Sequence, residues 1–331
     1  PARQEDLRIT GHAIEVRLCA EDAAHGFMPQ SGRMLRWRAP SELRAEDALE
    51  SGGEIPPFYD SMIAKIVSHG ATRDEARRRL TAGLAQMTAL GVTTNQSFLA
   101  RCLDHPAFAA GQATTAFIDE HSVDLLGAET GSLHAAVATL LVHIAAIGPV
   151  HAQQRLGLAH GYAIPMRFDL DGHIVEPTVR RERGDVFRVG LAESDHTLTF
   201  GSRDGDMLHF TSDGVLASAT FVREGADLYF NFAGATSHVR DLSHAAVMKA
   251  GDAGSDGKLR ASMNGRVVSV LAKAGDTVAA GAPIIVLEAM KMQHVHAAPV
   301  SGKLKALNAA EGDQVTTGFV IAEIEATQDA A

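Results

Sequence analysis

The polarity pattern changes period several times along the chain. Residues 8–21 alternate, with Ile14, Val16 and Leu18 on one side, and Phe27-Met28-Pro29-Gln30-Ser31-Gly32 turns the chain before a second alternating run from Met34 to Trp37. Period two predicts strands. The period then lengthens. Thr72 with Glu75 three residues on forms a capping box, and Ala76, Leu80, Leu84, Met87 and Leu90 predict one helical stripe ended by Gly91. A second helix is predicted around Ser97–Leu103, ending before His105-Pro106 because the residue before a proline disfavours the helical region.

A third helical run follows. Leu133, Ala136, Val137, Leu140, Leu141, Ile144 and Ile147 fall at helical spacing until Gly148-Pro149, and the remaining faces are also poor in charge. About 16 residues containing His134 and His143 fall short of the roughly 20 that a bilayer requires, so the pattern predicts a helix enclosed by protein on all sides. The enclosure is expected from the next stretch. From Tyr162 to His244 short alternating runs are punctuated by Asp171-Gly172, Gly184-Asp185, Asp204-Gly205, Asp213-Gly214, Glu224-Gly225 and Ala233-Gly234, the signature of a meander of hairpins.

The last third is a duplication. Laid over itself with Met263 on Val300, a shift of 37, Gly265 falls on Gly302, Gly275-Asp276 on Gly312-Asp313, Val278 on Val315 and Ile284 on Ile321. Leu287, Glu288 and Ala289 fall on Ile324, Glu325 and Ala326 without a gap. Neither half can bury its apolar face alone, so two sheets with one shared core and an approximate two-fold relation are expected. The symmetry breaks at one place. The partner of Lys291 is Gln328, so only the first copy carries a lysine, between Met290 and Met292, where one half hands over to the other in a tight turn. A lysine there suits attachment, because its amine sits on a long flexible stem and can be acylated.

Composition narrows the function classes. The 331 residues are 46% hydrophobic and 21% charged, as in ordinary globular domains, and suffice for two or three of them. A net charge of −10 argues against a nucleic-acid partner, and the one basic run, Arg77-Arg78-Arg79, continues a helix and reads as a solvated face. Cys19 and Cys102 have no metal-type spacing and imply a reducing compartment. Asp169, Asp171 and Gly172 fall short of a calcium loop, and His294 with His296 lacks further ligands, so no metal is expected. No secretory signal is visible at Pro1, which reads either as a true N-terminus or as a fragment end. Ala250–Lys258, small and polar, reads as a flexible tether.

Ala289-Met290-Lys291-Met292 within a duplicated strand unit resembles the biotin carrier domain, which implies biotin bonded covalently to Lys291, with Ala289, Met290 and Met292 flanking it. One departure is Ser262-Met263-Asn264-Gly265, where that family commonly has Pro-Met-Pro-Gly. Three further segments resemble the C-terminal subdomain of biotin carboxylase: Gly11–Leu18 with Ala20-Glu21-Asp22, Pro56–Lys65, and Gly91-Val92-Thr93-Thr94-Asn95. The resemblance puts Arg44, 16 residues before Asp60, where the family has the arginine that holds the ureido oxygen of biotin. Carboxylating the ureido nitrogen builds negative charge on that oxygen, and a guanidinium can stabilise it without losing its own charge.

Together these resemblances imply the alpha subunit of a biotin-dependent acyl-CoA carboxylase, most like the methylcrotonyl-CoA or geranyl-CoA enzymes. The fold class is then α+β and multidomain: a biotin carboxylase C-terminal subdomain (1–124), a helix within an antiparallel barrel that docks the partner (125–248), a linker (249–258) and a flattened β-barrel carrier (259–327). About 135 residues between the recognised ends are too few for a carboxyltransferase barrel of roughly 250, so the transferase is expected to be a separate beta subunit. Implied partners are that subunit, a biotin protein ligase and, through the partner, an acyl-CoA; no nucleic acid or membrane is expected. ATP with magnesium or manganese would belong to an ATP-grasp part ahead of Pro1, so the chain as given is expected not to hydrolyse ATP. The alternatives are a propionyl-CoA carboxylase alpha subunit or a non-catalytic carrier and assembly subunit. The implied location is the cytoplasm of a bacterium or the mitochondrial matrix of a eukaryote.

Overall fold

A computed structural model describes residues 3–6, 8–126, 131–147, 162–182, 184–245, 257–290 and 292–326. The tether over Ala250–Lys258 therefore lies outside the described residues, apart from its last two. The chain divides into two units, one of residues 1–19, 34–53 and 64–245 and one of residues 20–33, 54–63 and 246–331.

In the first unit, strands His12–Cys19, Met62–Gly70 and Arg44–Asp47 form a three-stranded sheet in that order. Along Met62–Gly70 the residues Ala64, Ile66, Ser68 and Gly70 are buried while Lys65, Val67 and His69 face outward, as period two requires. Helix Arg73–Gln86 begins as expected: the Thr72 hydroxyl accepts from the Glu75 N–H at 3.2 Å, and the Glu75 carboxylate accepts from the Ala71 N–H at 2.9 Å.

That helix ends before the stripe does. Met87 takes ψ 142°, and its carbonyl accepts from the side-chain amides of Gln96 and Asn231, each at 3.1 Å. Thr88–Leu90 then becomes a strand paired with Arg36–Arg38. The expected strand over Met34–Trp37 is correspondingly shifted, with Met34 exchanging backbone hydrogen bonds with Gly52 and Gly53 instead. The arginine run is also corrected in part. The Arg77 side chain is only 14% exposed and donates to the Leu103 carbonyl, Asp74 and Asp104, so it ties two helices together.

Helix Ser132–Ile147 has no polar face to offer water, and Ala136, Val137, Ala138, Leu140 and Leu141 are all 0% exposed. Each Val or Leu so enclosed is worth about 1.5–3 kcal/mol. The enclosing sheet is antiparallel: Val186–Gly190, Asp195–Asp204, Met207–Ser212, Val215–Glu224, Asp227–Phe232 and Ala235–Asp241 pair in sequence. One hairpin joins its two ends. Residues 164–170 pair with 173–181; the first of these runs also pairs with Ala235–Asp241 and the second with Val186–Gly190. The sheet thus curls round the helix. Its turns use the expected residues, with Asp171, Asp213 and Ala233 at φ near 50° and a glycine after each. The Asp169 carboxylate accepts from the Gly172 N–H and that of Asp171 from the His238 N–H, so these acids close a turn. No helix among the described residues is long and apolar enough to cross a membrane.

In the second unit the duplication is reproduced residue for residue. Strands Gly265–Val270, Thr277–Val278 and Pro283–Ala289 recur 37 residues on as Gly302–Leu307, Gln314–Val315 and Val320–Ala326. Bulges recur too, at Val267/Ser269 and Leu304/Ala306. The halves are interlocked: Thr277–Val278 pairs with Gly302–Leu307 of the second half, and Gln314–Val315 with Gly265–Val270 of the first. Ile284, Ile285 and Leu287 meet Leu304, Ile321 and Ile324 in one core.

Two measurements test this packing. A Cβ on Gly302 would lie 2.1 Å from the Glu325 carbonyl oxygen, a backbone atom with no room to retreat. Gly302→Ala should therefore lower the carrier's stability by about 1–3 kcal/mol in a denaturant titration.

The second concerns His134, whose ring stands 4.7 Å from that of Phe230 and whose Nε2 meets the Ser237 hydroxyl at 2.8 Å. Burial pushes its pKa down to about 4. The unfolded chain binds this proton from about pH 6.5 downward while the folded chain stays neutral, so falling pH favours unfolding across the window from 6.5 to 4. Wild type should lose about 2–3 kcal/mol relative to His134→Gln over that window. A gap between the two that stayed constant from pH 7 to 4.5 would contradict the burial of the ring.

Candidate functional site

The broken repeat lies at the tip of a hairpin. Strands Pro283–Ala289 and Met292–Ala297 pair down to Ala289↔Met292, leaving Met290 and Lys291 between them. Lys291 itself lies outside the described residues. Met290 stands at φ +45°, the left-handed region that a two-residue hairpin loop demands, and is only 6% exposed. Ala289 is likewise buried and Met292 is half-buried.

Loops of the same unit meet this end of the carrier. The Met290 N–H donates to the Pro57 carbonyl at 3.0 Å. Asn264 lies at the same end because Arg266 pairs with Glu288, and its amide Nδ2 donates to the Ser31 hydroxyl at 2.8 Å. Nearby, His296 is 7% exposed and its Nε2 faces both the N–H and the hydroxyl of Ser262, at 3.1 and 2.8 Å. That ring nitrogen is therefore an acceptor already occupied. Burial lowers the pKa of His296, so the neutral form persists, and it serves the fold of the loop before Gly265.

Arg44 occupies a different setting in the first unit. It pairs with Val67, and the next outward pair is Glu46↔Lys65, so these four residues share one face of the three-stranded sheet. The Arg44 Nε donates to the Glu46 carboxylate at 2.8 Å and Nη2 contacts the same oxygen. Lys65 Nζ lies 3.0 Å from Glu46 and 4.0 Å from Glu15. Hydrogen bonds from Lys65 and then Arg44 hold the Glu46 carboxyl below the usual carboxylate range. Glu46 thereby fixes one edge of the guanidinium, while Nη1 has no protein partner among the described residues. Arg44 also lines a pocket of about 740 Å³ with Glu42, His69, Arg79 and Gln86. A larger cleft of about 1050 Å³ in the same unit has only Arg38 and Asp213 as charged lining groups.

Two other groups invite a functional reading and receive a structural one. Asn95 is 6% exposed; its Oδ1 accepts from the Cys19 N–H at 2.9 Å and its Nδ2 donates to the Arg17 carbonyl at 3.2 Å, pinning the end of strand His12–Cys19. His105, His121 and Asp124 have potential ligand atoms within 4.8 Å of one another, a grouping that sequence spacing did not reveal. However, the His105 Nδ1 accepts from the Ala107 N–H at 3.2 Å as a helix cap. The ring proton then sits on Nε2, facing Asp124 at 3.9 Å, which leaves no lone pair there for a metal. Cys102 is inert for a related reason, since burial raises its thiol pKa to about 11.

Sequence reasoning named Arg44 and Lys291 but missed Glu46, Lys65, Ser31 and Pro57. Only the alternation of Arg44, Glu46 and Lys65, Val67 could have signalled the first two, and the pairing register needed for it is invisible in a single sequence.

Residues 15–120 match the family described as the biotin carboxylase C-terminal domain, and residues 257–324 match that described as biotin-requiring enzyme. Similar curated proteins include the mitochondrial methylcrotonoyl-CoA carboxylase subunit alpha of Mus musculus, 28% identical over 352 residues, covering 98% of this chain and 48% of that protein. The mitochondrial propionyl-CoA carboxylase alpha chain of Homo sapiens is 29% identical over 357 residues, covering 98% of this chain and 47% of that protein. Among solved structures, the biotin carboxylase subunit of pyruvate carboxylase shares 36% identity over 39% of this chain and 29% of that one, with a TM-score of 0.37. The chain thus carries biotin carboxylase C-terminal and biotin–lipoyl domains and is homologous to the alpha subunits of these two carboxylases. It spans about half the length of the curated relatives it matches.

Proposed function

We propose that this chain, homologous to carboxylase alpha subunits, is the biotin-bearing part of the alpha subunit of an acyl-CoA carboxylase. A biotin protein ligase attaches biotin to Lys291, Arg44 assists its carboxylation, and a separate beta subunit, docked through residues 125–248, takes the carboxyl group to an acyl-CoA. The observation that carries this reading is the hairpin tip: a duplicated domain, symmetrical through its strands and bulges, departs from its repeat at the Ala289–Met292 turn. Met290, the first member of that two-residue loop, is already left-handed, so the chain turns there without loosening the sheet behind it.

Biotin, when bound, supplies the nitrogen that carries the carboxyl group between the two sites. Arg44 supplies the cation for negative charge developing on the ureido oxygen. Glu46 holds that cation by Nε and Nη2, and Lys65 keeps Glu46 ionised, so Arg44 is oriented before any ligand arrives. In this reading ATP, bicarbonate and a divalent cation complete the reaction. The acyl-CoA belongs to the methylcrotonyl, geranyl or propionyl class. Methylcrotonoyl- and propionyl-CoA carboxylase alpha subunits resemble the chain equally, at 28% and 29% identity.

Intact-mass analysis of Lys291→Arg should show complete loss of the biotin adduct; a biotinylated peptide persisting at another lysine would sink the assignment. Arg44→Ala, made in the full-length subunit, should slow biotin carboxylation by about 10²- to 10³-fold with Lys291 still biotinylated. An unchanged rate would remove Arg44 from the reaction.

A further inference from the structure

Resting on the carrier reading of Lys291, we propose that Asn264 is a latch that parks the carrier, tip first, on the two segments, 20–33 and 54–63, that hold Ser31 and Pro57. Three observations converge on one end of the carrier. The Asn264 Nδ2 donates to the Ser31 hydroxyl at 2.8 Å. The Met290 N–H, adjacent to the acceptor lysine, donates to the Pro57 carbonyl at 3.0 Å. The Met28 side chain packs against the carrier's own apolar core.

Asn264 is built for this task from its other side. Its Oδ1 accepts from the Thr317 N–H at 2.8 Å and the Thr317 hydroxyl at 3.3 Å, which fixes the amide plane and aims Nδ2 outward. Thr317 belongs to the second half of the repeat and Asn264 to the first, so the latch is held by both halves. Gly265, next in sequence, could not carry a side chain, because a Cβ there would lie 2.8 Å from the Glu288 carbonyl oxygen; the donor must come from position 264.

The chemistry suits a reversible contact. Each bond joins neutral groups, and Ser31, Asn264 and Pro57 are all partly exposed, so none is worth more than an ordinary hydrogen bond. A carrier that must leave needs such weak bonds, while tethering within one chain makes a few of them sufficient. The latch sets a resting position for the residue beside Lys291; a shuttle that spends part of its time there returns its tip to one place.

The test is ¹⁵N relaxation on the whole 331-residue chain. In wild type the amides of residues 258–326 should tumble with those of residues 20–33 and 54–63 for a substantial share of the time. Ser31→Ala alters nothing in the carrier and should lower the ratio of docked to free carrier about fivefold, the value of one ordinary hydrogen bond. Asn264→Ala should do the same, with shift changes at Gly265 and Met290. Carrier amides that tumble independently in wild type, or Ser31→Ala relaxation identical to wild type, would overturn the latch. Intact mass of the same samples reads biotin on Lys291 separately: biotin present without docking refutes the latch alone, and docking without biotin refutes the carrier reading alone.

Discussion

A helix with no polar face cannot end a folding problem; it must be surrounded. Helix Ser132–Ile147 buries Ala136 through Leu141 on every side, and the antiparallel sheet wound about it exists to meet that demand. The curl closes only because residues 164–170 and 173–181 join both ends of the ladder. The cost is borne at the ends of the helix, where His134 must sit among phenylalanines with one serine for company.

The carrier solves a different problem with the same means. Each half is too small to hold a core, and exchange of the short strands Thr277–Val278 and Gln314–Val315 welds the two into one. Against that symmetry the lysine at position 291, facing Gln328 in the second copy, is a better functional signal than a lysine on an irregular surface. The loops that touch the tip are held by their own hydrogen bonds: Asp60 accepts from the Met62 N–H, and Ser61 from the Ala20 N–H.

Most of the architecture was legible in the sequence, and the exceptions have a common cause. The enclosed helix, the glycine-marked hairpins and the duplication all depend on neighbours close along the chain or on internal repetition. The helix expected to run to Leu90 stops at Gln86, where the Met87 carbonyl accepts from Gln96, nine residues on, and from Asn231, 144 residues away. Arg77 looked solvated because its partners Leu103 and Asp104 lie 26 and 27 residues on. At the functional sites the same rule holds. Arg44 and Lys291 were named from local resemblance, whereas Glu46 and Lys65 appear only once strands are in register. The departure at Asn264, where the resembling family has proline, could be seen; that its amide meets Ser31, 233 residues back, could not.

The exchanged strands also govern when the carrier can come into being during synthesis. Among the described residues Lys258–Arg260, near the start of the domain, pairs only with Val320–Ala326, at its end, and Gly265–Val270, though paired with Pro283–Ala289, gains its second neighbour only from Gln314–Val315. A ribosome that has made the hairpin around Met290 has therefore made a loop without a domain behind it. Any enzyme that reads the folded shape of this tip must wait until Val320–Ala326 has emerged and paired.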